Sequence, residues 1–253
     1  MRSYALYIAA AAFFAAFFVY YARIGDGHFI VVTDALAAIY AISALLTGVY
    51  ALQGKQNTDY YASLGLIAIG LMLWGLAELL WLFFTGHVYL LVEGLRLLGY
   101  IPMLFGFFFI LRTANPKFFE QKGYILPALA SVIVFSVVSL ILAPVLSDKL
   151  SLLDSITING YILVDVTLLV GIMLLVHASY RYRGTFLSLI WVCFALSFLA
   201  IFTFDIMFAS IWQQYYFGHP YEILILASYV LMGLGFYFYH LYCRTGGKDE
   251  AAL

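Results

Sequence analysis

The segment Glu93–Phe109 reads EGLRLLGYIPMLFGFFF, and the segment Glu222–Phe238 reads EILILASYVLMGLGFYF. Aligned without a gap, the two segments agree at Glu, Tyr, Met and Gly positions as well as at several Leu and Phe positions. Leu and Phe matches carry little weight in so apolar a chain, but the other four residue types keep one register. We therefore interpret the segments as an internal repeat around which two related halves are built. The informative pairs are Glu93/Glu222, Tyr100/Tyr229, Met103/Met232 and Gly106/Gly235.

The composition indicates that lipid is the main solvent of this chain. Of its 253 residues, 66% are hydrophobic and 10% are charged, whereas a soluble domain carries about 25% charged residues. Apolar runs of about 20 residues separated by short polar breaks predict a polytopic α-helical membrane protein. The formal charge of −1 argues against nucleic acid as a partner and leaves the lipid bilayer as the expected one. Cys193 and Cys243 form no CxxC motif and no disulfide framework.

Eight apolar runs predict an all-α protein with eight transmembrane helices. The first run also fits a secretory signal peptide, but it ends in Tyr20 and Tyr21 without an Ala-x-Ala step, so we expect it to be retained. The predicted spans are Tyr4–Tyr21, Phe29–Leu52, Tyr61–Phe84, Val88–Leu111, Gly123–Leu146, Ile158–Tyr180, Thr185–Trp212 and Tyr221–Tyr242.

The basic residues predict the orientation of these spans. If the chain crosses eight times, only Arg23 and Lys149 fall on one side, and Arg96 lies inside the fourth span. Basic residues gather on the cytoplasmic side, so we expect both termini in the cytoplasm of a plasma-membrane protein. The expected cytoplasmic residues are Arg2, Lys55, Arg112, Lys117, Lys122, Arg181, Arg183, Arg244 and Lys248.

Four spans in each half give the two halves the same orientation. We therefore predict one membrane domain made of two parallel four-helix repeats, related by a pseudo-twofold axis along the membrane normal. Residues 1–115 form the first repeat, and residues 116–253 form the second repeat with a short cytoplasmic tail. An inverted repeat would need an odd number of spans in each half.

Acidic residues occupy corresponding places in the two halves, all in the outer half of the membrane by the direction of the spans. Glu78 and Asp205 lie about 10 Å from a loop at 1.5 Å per residue. A carboxylate at such depth costs a few kcal/mol unless it is paired, protonated or solvated. The pattern predicts an outward-open acidic cavity that binds a cation, a proton or a small cationic ligand. Its expected lining is Asp34, Glu78, Glu93, Asp165, Asp205 and Glu222, together with Arg96, Tyr100 and Tyr229.

A structural role for these acids remains open at this point. Glu93 and Arg96 stand three residues apart on one helix face and can pair with each other. Acids near helix N-termini, such as Asp34 and Glu222, are stabilised by the positive end of the helix dipole.

Two histidines invite a metal-site interpretation, because imidazole is a common metal ligand. His87 precedes the fourth span and His219 precedes the eighth, but the chain contains no HxxxH or HExxH motif. Both can equally be interfacial polar residues. The sequence also lacks a GxSxG motif and a glycine-rich phosphate loop, so no catalytic residue is predicted, and the sequence leaves the identity of any cofactor unknown.

The segments Trp74–Trp81, WGLAELLW, and Leu95–Pro102, LRLLGYIP, resemble the membrane-embedded sensory regions that precede histidine-kinase, PAS or diguanylate-cyclase domains in archaea and bacteria. The resemblance covers parts of the third and fourth spans, and a weaker similarity is present in the seventh and eighth spans. It implies a non-enzymatic sensory module. After Tyr242 only CRTGGKDEAAL remains, so we expect a separate membrane or cytoplasmic partner to carry the output.

The first functional hypothesis is thus a receptor-like module that binds a small ligand or cation and signals to a partner. A proton- or cation-coupled transporter, with Glu78 and Asp205 as coupling carboxylates, is the second, although the inner half of the spans offers almost no polar lining. An intramembrane metal-dependent enzyme and a structural subunit of a membrane complex are the remaining alternatives.

Overall fold

A computed structural model of the chain describes residues 29–53, 60–84, 89–114, 152–178, 185–211 and 220–245. These residues form six α-helices, and a short 3₁₀ turn, Pro220–Glu222, leads into the last one. The predicted spans Tyr4–Tyr21 and Gly123–Leu146, and the histidines His87 and His219, lie outside the described residues. The helices are α1 Phe29–Leu52, α2 Tyr61–Phe83, α3 Tyr89–Ala114, α4 Leu152–Ala178, α5 Phe186–Ile211 and α6 Ile223–Arg244.

The observed boundaries follow the predicted spans closely, with two differences that have local causes. Helix α4 begins at Leu152 rather than Ile158, because a helix continues its backbone hydrogen bonds through polar residues that precede an apolar run. Helix α6 begins at Ile223, because the residues just before it adopt the tighter 3₁₀ turn that is common at helix N-termini.

The lengths and compositions of the helices indicate a multi-pass membrane protein. Five helices are long and apolar enough to cross a bilayer, and α4 contains a shorter apolar segment, Gly160–Val176. Large apolar side chains are exposed on the outside of the bundle, among them Leu46, Phe83 and Leu90. Such a surface suits contact with lipid tails, which are as apolar as the side chains themselves.

The six helices form a ring in chain order, and α6 closes it against α1. Aromatic side chains fill the interior. Phe107 of α3 meets Phe198 of α5 edge-on, with ring centroids 5.4 Å apart, and Trp74 of α2 meets the same Phe198 at 6.3 Å. Edge-to-face pairs of this kind are favourable beyond the area they bury, so this core fixes the order of the helices.

Helices α2 and α3 approach each other closely at two glycines. A Cβ atom on Gly70 would collide with the carbonyl oxygen of Gly99, and a Cβ on Gly99 would lie 2.6 Å from Cδ1 of Trp74. The indole Nε1 of Trp74 donates a 2.9 Å hydrogen bond to the carbonyl oxygen of Arg96. Small residues at a membrane helix interface permit such approach, and here the contact brings the C-terminal end of α2 beside the N-terminal half of α3.

Helices α5 and α6 are joined by two serines. The Ser197 hydroxyl donates a 2.9 Å hydrogen bond to the carbonyl oxygen of Ser228, and both residues are fully buried. The Ser228 hydroxyl in turn donates to the carbonyl oxygen of Ile225 at 2.7 Å. Polar side chains of this kind link membrane helices through hydrogen bonds.

Candidate functional site

The acidic residues singled out by the sequence gather at one end of the helix ring. Glu78 and Asp205 lie toward the C-terminal ends of α2 and α5, and the others lie in the N-terminal halves of α1, α3 and α4 or at the start of α6. Contacts between these positions place them at the same end of the ring, as in the bonds of Tyr161 on α4 to Glu93 on α3 and of Tyr229 on α6 to Glu78 on α2. We call this region the acidic end; its residues are Asp34, Glu78, Glu93, Arg96, Tyr100, Tyr161, Asp165, Asp205, Glu222 and Tyr229.

Arg96 is the centre of the first group of contacts. Its Nη1 lies 2.9 Å from Oε1 of Glu93, one helical turn earlier on α3. Its Nη2 lies 3.2 Å from both carboxylate oxygens of Glu78 on α2. The local Glu93–Arg96 pair predicted from the sequence is therefore confirmed. The planar guanidinium holds two carboxylates at once, which suits arginine better than lysine.

Two tyrosines complete this group by binding the same carboxylates. The Tyr229 hydroxyl of α6 donates a 2.8 Å hydrogen bond to Oε1 of Glu78. The Tyr161 hydroxyl of α4 donates a 2.5 Å hydrogen bond to Oε2 of Glu93. Hydrogen bonds to a charged acceptor are shorter and stronger than neutral ones, so helices α4 and α6 are both tied to Arg96 through its carboxylate partners.

Tyr161 is the member of the site that sequence reasoning missed. It stands four residues before Asp165 on α4, and residues at this spacing share a helix face. That spacing is the signal that could have placed it beside the acids.

Asp34 and Glu222 form the flank of the acidic end at α1 and α6. Both side chains are buried. Asp34 interacts electrostatically with Glu222 and Glu78, two charges of its own sign, and with Arg96, one of opposite sign. Among the groups that act on Asp34, two carboxyl groups thus stand against one guanidinium.

Asp165 and Asp205 form the opposite flank, at α4 and α5. Their carboxyl groups interact with each other, and Tyr100 of α3 lies beside Asp165. Asp165 is 0% exposed, and neither of its oxygens has a hydrogen-bond partner within the part of the chain that the structure describes. The same holds for Oδ2 of Asp205. Buried carboxyl oxygens without partners are rare in folded proteins, so this flank differs sharply from the Arg96 group.

The balance of charge gives the acidic end its chemical character. Six carboxyl groups share one guanidinium among the side chains described there, in helices that suit a bilayer. Carboxylates at membrane depth mark ion or proton sites by default. Within the described ranges no three His, Cys, Asp or Glu side chains are arranged to hold a metal ion, and the proposed metal ligands His87 and His219 fall outside those ranges.

The remaining histidine with a described side chain lies at the other end of the bundle. The His240 ring of α6 packs against Tyr50 of α1, with ring centroids 5.0 Å apart. It belongs to a different site from the acids.

Comparison with known proteins assigns no family to this chain. No protein-family model matches it, and neither the curated proteins nor the solved structures contain a match.

Proposed function

We propose that this protein is a receptor-like membrane module that binds a small cation or cationic ligand at the acidic end and signals its occupancy to a partner protein. One observation carries the proposal: among the described side chains at this end of an apolar bundle, six carboxyl groups accompany one arginine, which pairs with only two of them, Glu78 and Glu93. A positive charge brought among them would relieve repulsion that the protein itself leaves uncompensated. The flank formed by Asp34 and Glu222 is the best candidate for the point of contact, because the buried Asp34 carboxyl lies within electrostatic range of two other carboxyl groups, those of Glu222 and Glu78.

Binding there can change how the helices pack. A cation at Asp34 competes for the Glu78 carboxylate, whose oxygens also accept from Arg96 and Tyr229. A ligand that binds two arrangements of a bundle with different affinity shifts the population between them. We infer that the Tyr229–Glu78 and Tyr161–Glu93 hydrogen bonds are the links through which α6 and α4 respond.

We further propose that the chain has eight transmembrane helices in two parallel four-helix repeats. The proposal is supported by matched burial in the two halves: Tyr100 and Tyr229 are 2% and 3% exposed, and Met103 and Met232 are both 0% exposed. The Gly70–Gly99 contact between α2 and α3 also has a counterpart in the Ser197–Ser228 contact between α5 and α6.

An experimental structure of the full chain tests the repeat. It should contain eight spans, with α1–α3 superposing on α4–α6 after a rotation about the membrane normal. Superposition that requires an inversion, or that fails altogether, would reject the parallel repeat.

The proposed location is the plasma membrane, with the acidic end outside and both termini in the cytoplasm. The distribution of basic residues supports this orientation. Arg112 in the last turn of α3 lies far from the acidic end and should face the cytoplasm. In whole cells, Arg112→Cys should resist a membrane-impermeant maleimide until the membrane is opened; labelling in intact cells would reverse the orientation.

Proton- or cation-coupled transport is the second candidate function. It is favoured by the buried carboxyl groups of Asp165 and Asp205, since paired acids inside membrane helices recur in proton pathways. Reconstituted liposomes separate it from sensing: a transporter moves the ligand across the bilayer, whereas a receptor-like module binds without flux.

The first experiment is an unfolding titration of the full chain in bicelles, with and without a panel of monovalent, divalent and organic ammonium cations. A cation present at 100 times its Kd raises the apparent stability by about 2.7 kcal/mol. Asp34→Asn should abolish that increase while it leaves the pairs of Arg96 intact. Thr47→Val is the matched control, because the Thr47 hydroxyl bonds only its own helix, at Ser43. The proposal fails if no cation stabilises the wild type, or if Asp34→Asn responds as the wild type does.

A further inference from the structure

The most unusual group in the described structure is the Asp165 carboxyl. It is fully buried, both of its oxygens lack hydrogen-bond partners among the described residues, and its nearest ionisable neighbour is another carboxyl, Asp205. Asp205 carries a buried oxygen in the same condition. No described group meets full hydrogen-bond geometry at these oxygens, although the Tyr100 hydroxyl lies beside Asp165, and a buried polar group that is poorly satisfied in this way costs free energy.

The described charged groups around Asp165 and Asp205 do not supply a counter-charge for the two carboxyl groups. From α3, Tyr100 lies beside Asp165, while Glu93 and Arg96 act on Asp205 with opposite signs. From α4 itself, Tyr161 directs its hydroxyl to Glu93. The guanidinium of Arg96 is already occupied by Glu78 and Glu93, so neither aspartate has a basic partner of its own.

Ionised carboxylates only accept hydrogen bonds, whereas a protonated carboxyl also donates one. Two carboxylates that face each other in an apolar site cannot both remain ionised, and such pairs share one proton. A single proton would turn one aspartate into the donor that the other lacks. It would also reduce the charge of the flank from two negative charges to one.

We propose that Asp165 and Asp205 hold one proton between them, so that the α4–α5 flank of the acidic end is a proton-binding site. Hydronium from bulk water supplies the proton, and a water molecule is left behind. The inference deepens the proposed function and rests on it for the role of the site, because it adds the proton as a second cation bound at the acidic end.

A proton suits this flank better than a metal ion does. Mg²⁺ and Ca²⁺ require about six to eight oxygen ligands, and no three-ligand metal arrangement exists in the described parts of the chain. Asp165 is 0% exposed, so the flank offers no surface on which a hydrated ion could rest. A proton needs only the two carboxyl groups that are there.

Binding or release of this proton would change the electrostatic environment of Arg96 and its carboxylate partners. Asp205 interacts with Glu93 and Arg96, so a change of one charge on the aspartate pair alters the field at the Glu93–Arg96 contact. Tyr161 bonds Glu93 from the same helix that carries Asp165. The flank is thus placed to convert a proton-binding event into a shift of α4 relative to α3.

Infrared difference spectroscopy of the purified full chain tests the proposal. The wild type should show the C=O stretch of a buried protonated carboxyl group at neutral pH, with the shift that exchange into heavy water produces. The band should disappear in Asp165→Asn/Asp205→Asn and persist in Asp34→Asn. If the double variant fails to fold, the single variants Asp165→Asn and Asp205→Asn are measured instead; each should shift the frequency of the band or remove it, because each replaces one of the two carboxyl groups that share the proton.

The outcomes separate the two proposals. A wild type without the band, or a band that survives the double variant, overturns proton binding at Asp165 and Asp205, even where cations still stabilise the protein through Asp34. A band that follows the aspartate pair supports proton binding, even where no cation from the panel stabilises the protein and the proposed receptor function fails.

Discussion

Two regions of the acidic end contain the same kinds of residue and differ in one charge. Around Arg96, two carboxylates are held by a guanidinium and two tyrosine hydroxyls at 2.5–3.2 Å. Around Asp165, two carboxyl groups and a tyrosine lie together without a basic side chain of their own. Burial is thus tolerated by two different means: charge pairing in the first region and, as we propose, a shared proton in the second.

The difference rests on Arg96. In the alignment that pairs Glu93 with Glu222, Arg96 falls on Ile225, an apolar residue that packs against the core. Under the repeat that we propose, the second segment therefore carries no guanidinium at the position from which Arg96 binds Glu78 and Glu93 in the first.

Removing the arginine should give the largest effect and make the two regions alike. Arg96→Leu leaves Glu78 and Glu93 buried without a counter-charge, and breaking a buried ion pair in this way costs about 3–5 kcal/mol. The free energy of unfolding in bicelles, measured by SDS titration, checks this. Arg112→Leu, exposed in the last turn of α3, serves as the control with little change. A loss as small in Arg96→Leu as in the control would mean that Glu78 and Glu93 are neutral as well.

Crowding the glycine contact should have the next largest effect. Gly70→Ala places a Cβ against the Gly99 carbonyl oxygen, which cannot move without moving α3. Overpacking of this kind costs about 1–3 kcal/mol, and it should also displace Glu78 from Arg96. Gly65→Ala on the same helix meets no atom within 4 Å and should be neutral. Equal stability of the two variants would show that α2 and α3 are not held at this distance.

Removal of one tyrosine hydroxyl from each region should have a smaller effect and should differ between the two regions. Tyr229→Phe removes the donor to Glu78, and hydrogen bonds between membrane helices are worth about 0.6 kcal/mol on average and about 1.7 kcal/mol at most. We expect a loss toward the upper value, because the acceptor is charged. Tyr100→Phe is the matched change on the Asp165 side and should cost less, since its neighbour there carries a shared proton. A larger loss for Tyr100→Phe would indicate an ionised Asp165. The unfolding titration measures both.

The smallest expected effect concerns the serine contact between α5 and α6. Ser197→Ala removes the hydrogen bond to the Ser228 carbonyl oxygen without adding volume, and should cost about 0.6 kcal/mol. Thr203→Val is the control on α5, since the Thr203 hydroxyl bonds its own helix at Leu199. A loss for Ser197→Ala as large as that for Gly70→Ala would contradict the small effect expected from one interhelical hydrogen bond.

The fold was more predictable than the site. Helices α1 and α2 begin at the predicted residues Phe29 and Tyr61, because a span is a local property of about 20 apolar residues. The pairing of Glu93 with Arg96 was also predictable, because residues three positions apart on one helix lie on the same face and close together. The contact of Arg96 with Glu78 was not, because it depends on which helices are neighbours and how each is rotated.

The sequence by itself indicated a helical membrane protein, since the bilayer fixes the length of an apolar helix. Only the tertiary structure decided which acids share the arginine. Close packing of α2 against α3 at Gly70 and Gly99 brings Glu78 beside Arg96, whereas Asp165 and Asp205 interact between α4 and α5. Lipid-embedded helices have no hydrophobic force to order them, so small residues and hydrogen bonds decide their neighbours.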